Sequence, residues 1–301
     1  MDKTDGTNDY EQTYVEKDKD GKVTLSSSSS QTTDPTTKAV TEKSSASDAN
    51  GSTESEKVTQ ANGDYVSTET KKDANGAVTE TTAASKTTSG TDYEEKSETK
   101  DGNGTVIESF ENSKKTDAAT GETTEVSAKA NRDGSAESTE IKKDATGNVN
   151  SLVTSETKAG VTTGATYEGT ADGLKLDSLT TADKDVVIDT VSGIAAGETY
   201  PVTEIGEEAF AGNELDSVTL GESVTSVNKK AFADCGMTEL NINGTVTKKM
   251  FAKNSLKGNG TKKKGKGLTI NVASKKDKKA MKKQAKKAGV PKAKIVVGPV
   301  I

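Results

Sequence analysis

The spacing of apolar residues is regular in the C-terminal third of the chain. One set of apolar positions runs from Ile205 to Leu220, and a second copy in the same register runs from Val227 to Ile242. A shorter third copy begins at Met250-Phe251, and Leu268-Thr-Ile270 follows an insertion rich in Gly and Lys. A short coil cannot bury its own apolar side, so stacked coils are predicted to share one core. The residues predicted to form this repeat core are Ile205, Phe210, Leu215, Val218, Leu220, Val227, Phe232, Met237, Leu240, Ile242, Phe251, Leu256, Leu268 and Ile270.

The repeat predicts a solenoid with adjacent parallel strands. Val218-x-Leu220, Leu240-x-Ile242 and Leu268-x-Ile270 are expected to point alternate side chains inward from three such strands. The interval between the first two copies lies within the range of leucine-rich repeats. The predicted fold class is therefore mainly β, with a C-terminal leucine-rich-repeat solenoid at residues 166–270 that is preceded by a polar, low-complexity repeat region.

A short helix is predicted to cap the solenoid within residues 271–301. Ser274 can accept hydrogen bonds from the first backbone N–H groups of this helix, and Gly289 followed by Pro291 ends it. An edge strand is predicted to follow at residues 293–297. Because an open-ended solenoid requires atypical terminal elements, we interpret the helix and the strand together as a cap.

A turn pattern recurs through residues 47–165. Glycines stand at near-regular intervals, as at Gly63, Gly76 and Gly90, and end turns such as Asp73-Ala-Asn-Gly76, while the segments between them are rich in Thr, Val, Glu, Lys and Ser. Asp can bond the backbone two residues on, Gly tolerates positive φ, and the intervals are long enough for strands. Two interpretations stay open: a single-layer β-meander stalk and a disordered tether. A meander with polar sheet edges offers a route to self-association.

Apolar residues are unevenly distributed between the two parts of the chain. Leu, Ile, Val and Phe number 16 in residues 1–165 and 31 in the shorter stretch 166–301. Only the second stretch is therefore expected to bury enough apolar surface to offset the entropy of ordering a chain. Residues 1–46, which include the run Ser26 to Ser30, are expected to be disordered or weakly ordered.

Positive charge is concentrated at the C-terminal end. From Lys248 onward there are 18 lysines and one acidic residue, Asp277, a net charge of +17, whereas the other 247 residues carry −23. Lysines at helical spacing repel one another, and an anionic polymer such as nucleic acid, teichoic acid or sulfated glycan relieves that repulsion. No aromatic residue interleaves these lysines, so base stacking is unsupported, and a solvated face is the other interpretation. The candidate anion-binding residues are Lys275, Lys278, Lys279, Lys282, Lys283, Lys286 and Lys287.

Candidate chemistry is sparse along the chain. There is no histidine, and the one cysteine, Cys235, is interpreted as a small buried apolar residue. Glu16-Lys-Asp-Lys-Asp20-Gly21 resembles the start of a calcium loop, but Ser27 at the twelfth position supplies no bidentate carboxylate, so we interpret the run as a turn. The many carboxylates do not form a recognisable acid and base pair. We therefore predict no catalytic, cofactor-binding or metal-binding residue and no enzymatic activity.

Three runs carry a resemblance to a known family. Val186-Val-Ile188, Tyr200-Pro-Val-Thr-Glu-Ile-Gly-Glu-Glu-Ala-Phe210 and Leu215-Asp-Ser-Val-Thr-Leu220 are similar to the BspA-like (Treponema-type) leucine-rich-repeat surface proteins, over about residues 166–298. The chain departs from the family pattern at Asn213, where a cysteine is common, and in the third repeat, which Lys257 to Gly267 interrupts. The resemblance is specific for fold and much less specific for function.

The resemblance implies a non-enzymatic, secreted or bacterial cell-surface protein that mediates adhesion or binds protein or glycan ligands, carried on a polar spacer. The alternative is a purely structural spacer or wall-associated protein whose Lys-rich C-terminus binds anionic polymers. No run approaches about 18 consecutive apolar residues, so no membrane span is expected. The first six residues lack the basic and apolar pattern of a signal peptide, so an export signal is expected to have been removed from this sequence.

Overall fold

The computed structural model describes residues 8–261 and 263–298. The chain divides into two compact units. The first takes in Met1–Thr116 and Val126–Ser135, and the second takes in Asp117–Glu125 and Ala136–Ile301. Strands make up most of the regular structure of both units, so the mainly-β part of the predicted fold class is confirmed.

The first unit contains an antiparallel meander in which each strand pairs with the next one along the chain. Thr and Val recur in these strands, and both residues favour extended backbone. A further strand, β9 (Thr123–Ala130), contains residues of both units. The strands that lie wholly within the first unit are β1 (Tyr10–Lys17), β2 (Val23–Thr33), β3 (Val40–Asp48), β4 (Gly51–Thr59), β5 (Tyr65–Asp73), β6 (Val78–Ser89), β7 (Asp92–Asp101) and β8 (Val106–Thr116).

Aspartate side chains hold the turns of the meander. Between β5 and β6, Asp73 Oδ1 accepts hydrogen bonds from the backbone N–H groups of Asn75 and Ala77 at 2.8 and 2.9 Å. Gly76 completes the turn with a φ of 84°, a conformation that favours glycine. The run that resembles a calcium loop forms the same kind of turn, because Asp18 Oδ1 accepts from the N–H groups of residues 20 and 22, both at 2.9 Å.

Polar interactions hold the first unit together. Among its described residues, the buried side chains are those of Thr99 and Ser113, and no apolar side chain is buried. Hydroxyl pairs such as Ser44 with Ser55 at 2.7 Å bridge neighbouring strands, as do ion pairs. Each cross-strand pair contributes roughly 0.2–1 kcal/mol, so the order of this sheet depends on many strands acting together.

The structure differs from the expectation of little order in residues 1–46. β1 and β2 lie within this segment, and Ser28 on β2 shares a hydrogen bond with Ser45 on β3 at 2.8 Å. Residues 1–7 of the segment lie outside the described residues. A strand with two polar faces carries no hydrophobic signal in its sequence, because its order comes from pairing with its neighbours.

The second unit begins with antiparallel strands that bury a small apolar cluster. Ile141, Leu152 and Leu174 are the fully buried members of this cluster. The expected boundary after residue 165 lies inside a strand, and the last antiparallel strand pairs in parallel with a strand of the solenoid. The elements are β10 (Ala136–Lys143), β11 (Val149–Lys158), β12 (Val161–Thr170) and β13 (Gly173–Thr180), followed by β16 (Thr199–Ile205), which pairs with β13, with β15 (Thr190–Ser192) and with β18 (Ser226–Val227).

Five parallel strands form the second sheet of this unit, in the order β14 (Asp185–Ile188), β17 (Ser217–Leu220), β19 (Glu239–Ile242), β20 (Thr269–Val272) and β21 (Lys294–Val297). Every residue predicted to form the repeat core is buried in one cluster. The predicted register of the third strand is wrong by two residues. Ile270 pairs with Leu240 and Val272 pairs with Ile242, while Leu268 is buried just before β20. Leu268-x-Ile270 and Ile270-x-Val272 both place two apolar side chains on the inward side of a strand. The sequence pattern therefore does not show which of the two pairs aligns with Leu240 and Ile242.

Neighbouring coils stack side chain on side chain. The rings of Phe210 and Phe232 are stacked, with centroids 4.4 Å apart. On the same side of the solenoid, the Phe210 N–H donates to the Ala231 carbonyl of the next coil at 3.0 Å. The apolar rows and the backbone bonds therefore hold consecutive coils together.

The second coil is longer than the first. Phe251 forms a parallel bridge with Val227, and the Phe232 N–H donates to the Ser255 carbonyl at 2.9 Å. The step along the chain from Val227 to Phe251 is thus longer than the step from Ile205 to Val227, and Leu256 follows Phe232 in the stack. The segment Met250-Phe251 is therefore not equivalent to the Ala-Phe pair of the earlier coils, although its composition is similar.

One buried side chain in each coil bonds to the coil before it. Asn213, Cys235 and Asn259 each donate to a backbone carbonyl of the preceding coil, at 2.6, 3.4 and 2.5 Å respectively. The middle position uses a thiol, a weak donor, in place of an amide. This row satisfies carbonyl groups that the stacked turns leave buried.

The capping helix α1 (Lys275–Ala288) closes the stack, followed by a left-handed Gly289 with a φ of 92°. Ser274 accepts from the Asp277 N–H at 3.1 Å, as a capping residue does. Gln284 accepts from the Phe251 N–H at 3.0 Å and donates to the carbonyl of residue 247 at 2.6 Å. A 3₁₀ turn at Lys263–Gly265 lies within the insertion that precedes β20. The helix thus lies between the predicted start and stop signals, and the strand begins at Lys294, one residue later than predicted.

A partly buried ion pair joins β10 to the segment that leads into β16. Lys143 Nζ lies 2.8 Å from Glu198 Oε1 and 3.1 Å from Glu125 Oε2, and the Tyr200 hydroxyl also donates to Glu198. Burial alone raises the pKa of Glu198, but the bonds from Lys143 and Tyr200 outweigh it, so this pKa lies below its ordinary value of 4.5. Burial and the Glu198 acceptor raise the pKa of Tyr200 to about 12.

Phe232→Ala removes a buried ring that stacks on Phe210. We expect the free energy of unfolding of the second unit to fall by about 3–5 kcal/mol, the usual cost of deleting a buried aromatic side chain. Urea unfolding, followed by the circular dichroism signal of α1, measures the change. Val187→Ala is the control, because that side chain is 73% exposed, and we expect an effect within about 0.5 kcal/mol. An F232A effect no larger than this control contradicts a shared stack.

Glu198→Gln is expected to destabilise the second unit at neutral pH and not in acid. Because the folded pKa of Glu198 is below 4.5, its carboxylate contributes stability above that pH, and the contribution is lost as the pH falls through the folded pKa. The urea midpoints of the wild type and E198Q should therefore differ at neutral pH, and the difference should shrink as the pH falls further below 4.5. A difference that keeps its size as the pH is lowered contradicts this assignment.

Candidate functional site

The solvent side of the five-stranded sheet presents two rows of side chains, which we call the outer face. Because strand side chains alternate, the residues between these rows face the core. At a strand spacing of about 4.8 Å, the face spans roughly 19 Å across the strands. Its rows are Asp185, Ser217, Glu239, Thr269 and Lys294, and Val187, Thr219, Asn241, Asn271 and Val296.

Side-chain hydrogen bonds order the middle of the outer face. Asn271 Nδ2 donates to Asn241 Oδ1 and to Glu239 Oε1, both at 2.8 Å. Asn241 Nδ2 in turn donates to Thr219 Oγ1 at 3.4 Å. Thr219 and Asn241 are buried between their neighbours, whereas Glu239, Thr269 and Asn271 stay half-buried and accessible. The amide and carboxylate groups are thus held in place before any ligand arrives.

Charge changes sign across the outer face. Asp185 is exposed on the first strand, where its carboxylate accepts from the Ser217 hydroxyl at 2.5 Å, and Lys294 is exposed on the last strand. Glu239 adds a second carboxylate in the middle. This arrangement can recognise a polar partner by hydrogen bonds and complementary charge, and it resembles the polar, preordered part of a protein interface.

The structure places the predicted lysines on the solvent side of α1. Lys275, Lys279, Lys282, Lys283, Lys286 and Lys287 are exposed, and Lys278 is half-buried. The opposite side of the helix, which includes Met281 and Ala285, is buried against the solenoid. Among the described residues, none of these seven lysines has an ion-pair partner.

Like charges repel along this helix. Lys275 and Lys279, like four further lysine pairs, are separated by one helical turn, and each such pair costs roughly 0.2–0.5 kcal/mol. Lys275 also stands in the first turn, where the helix dipole disfavours positive charge. Burial of the Met281 and Ala285 side chains offsets these costs, so α1 depends on its packing rather than on its own charge pattern.

Exposed lysines of the solenoid form ion pairs in the second coil, whereas the described lysines of the third coil form none. Lys229 lies 2.6 Å from Glu207, and Lys230 lies 2.6 Å from Glu208. The hydrogen bond from Lys230 lowers the pKa of Glu208. Lys253 stands one coil beyond Lys229, and no carboxylate pairs with it in the described part of the chain. Carboxylates of the first coil thus neutralise lysines of the second coil. Among the described residues, no carboxylate does the same for Lys253 of the third coil.

The cysteine and the acidic residues are candidate chemical groups, and the structure limits what the cysteine can do. Cys235 is buried, and burial followed by the nearby Asp234 carboxylate raises the pKa of its thiol to about 11, so it stays protonated at neutral pH. No group of three or more Cys, Asp or Glu side chains within residues 8–261 and 263–298 is arranged to hold a metal ion. The one described helix is too short and too polar to cross a membrane.

Sequence reasoning identified the lysines and did not identify the outer face. The signal for the face lies in the residues between the predicted core positions, Thr219 in the first coil and Asn241 in the second. The predicted third strand ends at Ile270, two residues before the observed end, and so leaves Asn271 out. A polar residue between two inward apolar residues is ordinary in any strand, so only the pairing of the strands shows that these three form a row.

Comparison with known protein families finds a match within the second unit. Residues 198–260 match the model of the BspA type leucine rich repeat region (6 copies). The matched stretch contains the Phe210 and Phe232 coils and the start of the third, and it leaves most of the chain unmatched. The chain therefore carries a BspA-type leucine-rich-repeat segment, as the resemblance indicated. No curated protein matches the chain.

Salt is expected to stabilise α1 specifically. Because unpaired lysines repel one another along the helix, screening by added sodium chloride should slow hydrogen exchange of the amides in residues 275–288. Mass spectrometry of exchange at low and high salt measures this. Peptides that cover β17 and β19 are the internal control and should change little. Equal protection of α1 at both salt concentrations contradicts uncompensated repulsion.

Proposed function

We propose that the chain is a non-enzymatic binding protein of a bacterial cell surface or of the secreted fraction, and that its solenoid mediates adhesion through protein or glycan ligands. The BspA-type repeat at residues 198–260 supports a surface binding role. The observation that carries the proposal is the outer face. Its polar side chains are preordered by the bonds of Asn241 and Asn271, and stacked apolar coils hold them rigidly.

Rigidity favours recognition by this face. A surface that is already ordered loses little conformational entropy on binding, so more of the contact energy appears as affinity. Asn and Glu side chains can exchange hydrogen bonds with peptide groups or with sugar hydroxyls, which fits protein and glycan ligands alike. The face is small, so the expected affinity of one copy is modest and several copies on one surface would act together.

The strands of the first unit fit the role of a spacer. Their described side chains bury no apolar residue, and their surface is rich in hydroxyl groups and charges. A surface of this composition favours solubility, because hydroxyl and charged groups interrupt contiguous apolar patches. A purely structural protein would share this feature, so the distinction between the two functions depends on whether the outer face retains a ligand.

Thr269→Arg tests the outer face. Thr269 is half-buried in the middle of the face, and an arginine there covers the neighbouring Glu239 and Asn271. Beads coated with the full chain should adhere to layers of extracellular-matrix protein or of bacterial cells, and T269R should reduce the retained beads about tenfold, the loss that about 1.4 kcal/mol of binding free energy produces.

Thr245→Arg is the matched control, because Thr245 is exposed in the loop after β19 and lies outside the outer face. T245R beads should adhere like the wild type, and both variants should keep the wild-type circular dichroism spectrum. Wild-type beads that adhere no better than uncoated beads favour the structural role instead. Equal adhesion of T269R and the wild type excludes the outer face as the binding surface.

A further inference from the structure

A dense group of lysines lies at the C-terminal end of the solenoid. It consists of α1 and the part of the third coil at residues 248–257, and we call it the lysine cap. The third coil runs beside the helix, since the Asn254 N–H donates to the Lys287 carbonyl at 2.8 Å and the Leu256 N–H donates to the Ala288 carbonyl at 2.9 Å. The helix carries eight lysines, and the coil adds exposed Lys248, Lys249, Lys253 and Lys257.

The one acidic residue of the lysine cap is not available to neutralise it. Asp277 is 5% exposed, and its carboxylate accepts from the Val246 N–H at 2.9 Å and from the Ser274 hydroxyl. In the earlier part of the solenoid, lysines are compensated across neighbouring coils, as Lys184 is by Glu214 and Lys229 by Glu207. The cap is thus set apart by unpaired charge as well as by its number of lysines.

Nearly all solvent-facing positions of α1 are lysines. Apart from the eight lysines, the helix contains five buried residues and the partly buried Ala280. It therefore exposes no aromatic ring for stacking on a base or a sugar, and no amide or hydroxyl for recognising sugar hydroxyls. An ammonium group is a compact point charge that suits phosphate oxygens and lacks the fork geometry of arginine.

We propose that the lysine cap binds a flexible, linear polyphosphodiester that carries no bases. Each phosphodiester of such a polymer carries one negative charge, which an ammonium group can pair with. Binding also releases counterions from the polymer, which favours association. Nucleic acid is disfavoured because nothing on the helix stacks on bases. Insertion into a bilayer is disfavoured because Met281, Ala285 and Ala288, the apolar side of α1, are buried in the solenoid. The site is separate from the outer face and does not depend on a ligand there.

The test uses the full chain and a poly(glycerol phosphate) probe immobilised on a sensor surface. K279Q/K282Q/K283Q/K286Q removes four exposed lysines and keeps residues of similar helix propensity. We expect the affinity to fall at least tenfold at physiological ionic strength. We also expect the slope of log affinity against log salt to become shallower by about 3, as for the loss of four phosphate contacts on a flexible polyanion.

A matched variant separates the cap from net charge. K17Q/K19Q/K22Q/K38Q removes four exposed lysines that belong to the first unit and not to the cap. It should bind within about twofold of the wild type, because it lowers the net charge by the same amount and leaves every cap lysine in place. The thermal midpoint of the cap variant should not fall, because the substitutions relieve repulsion along α1. Equal losses in both variants, or wild-type binding by the cap variant, overturn the proposal.

Three further probes distinguish the sources of negative charge. Heparin supplies sulfates on a sugar chain, poly(dT) supplies phosphodiesters with bases, and vesicles that contain phosphatidylserine supply an anionic bilayer. Tightest binding per charge to poly(glycerol phosphate) supports the proposal. Tighter binding to heparin, to poly(dT) or to the vesicles overturns it in favour of that partner, and no binding to any probe shows that the cap is only a solvated end.

Discussion

Burial of each coil's apolar row against the next coil is the interaction on which the second unit depends. Phe210 on Phe232, and Val218 beside Leu240 beside Ile270, are steps of one continuous core. A coil cannot form this core alone, so the stack must be closed where it stops. At the C-terminal end α1 closes it with Met281 and small alanine side chains, and the rest of the helix is free to carry lysine.

The same constraint separates the two candidate binding surfaces. Inward apolar residues hold the strands, and this leaves the alternate positions free for the Thr219, Asn241 and Asn271 row of the outer face. Cap closure in turn leaves the solvent side of α1 exposed next to a third coil whose Lys253 lacks the acidic partner that Lys229 has in Glu207. One surface is therefore polar and internally hydrogen-bonded, and the other is cationic and unpaired, so they are suited to different ligands.

The first unit is held together by polar contacts between strands. For this reason the sequence leaves two interpretations of it open. Its strands contain no apolar row to bury, and hydroxyl pairs such as Ser44 with Ser55 act only when neighbouring strands are already aligned. The turns were predictable, since Asp73 and Gly76 carry local chemistry. The choice between an ordered meander and a disordered tether was not, because it depends on the cooperation of many strands.

The repeat of the first two coils, most of the buried core residues and the position of the capping helix can be predicted from the amino-acid pattern. An apolar residue in a fixed register and a capping serine before a helix act locally, whereas the other features depend on which segments become neighbours. Tertiary structure placed Phe251 beside Val227 and Ile270 beside Leu240, because the apolar slots accept several aliphatic or aromatic side chains and only the backbone pairing selects one alignment. It also assembled the outer face and left the cap lysines without partners, since both depend on which coils become neighbours.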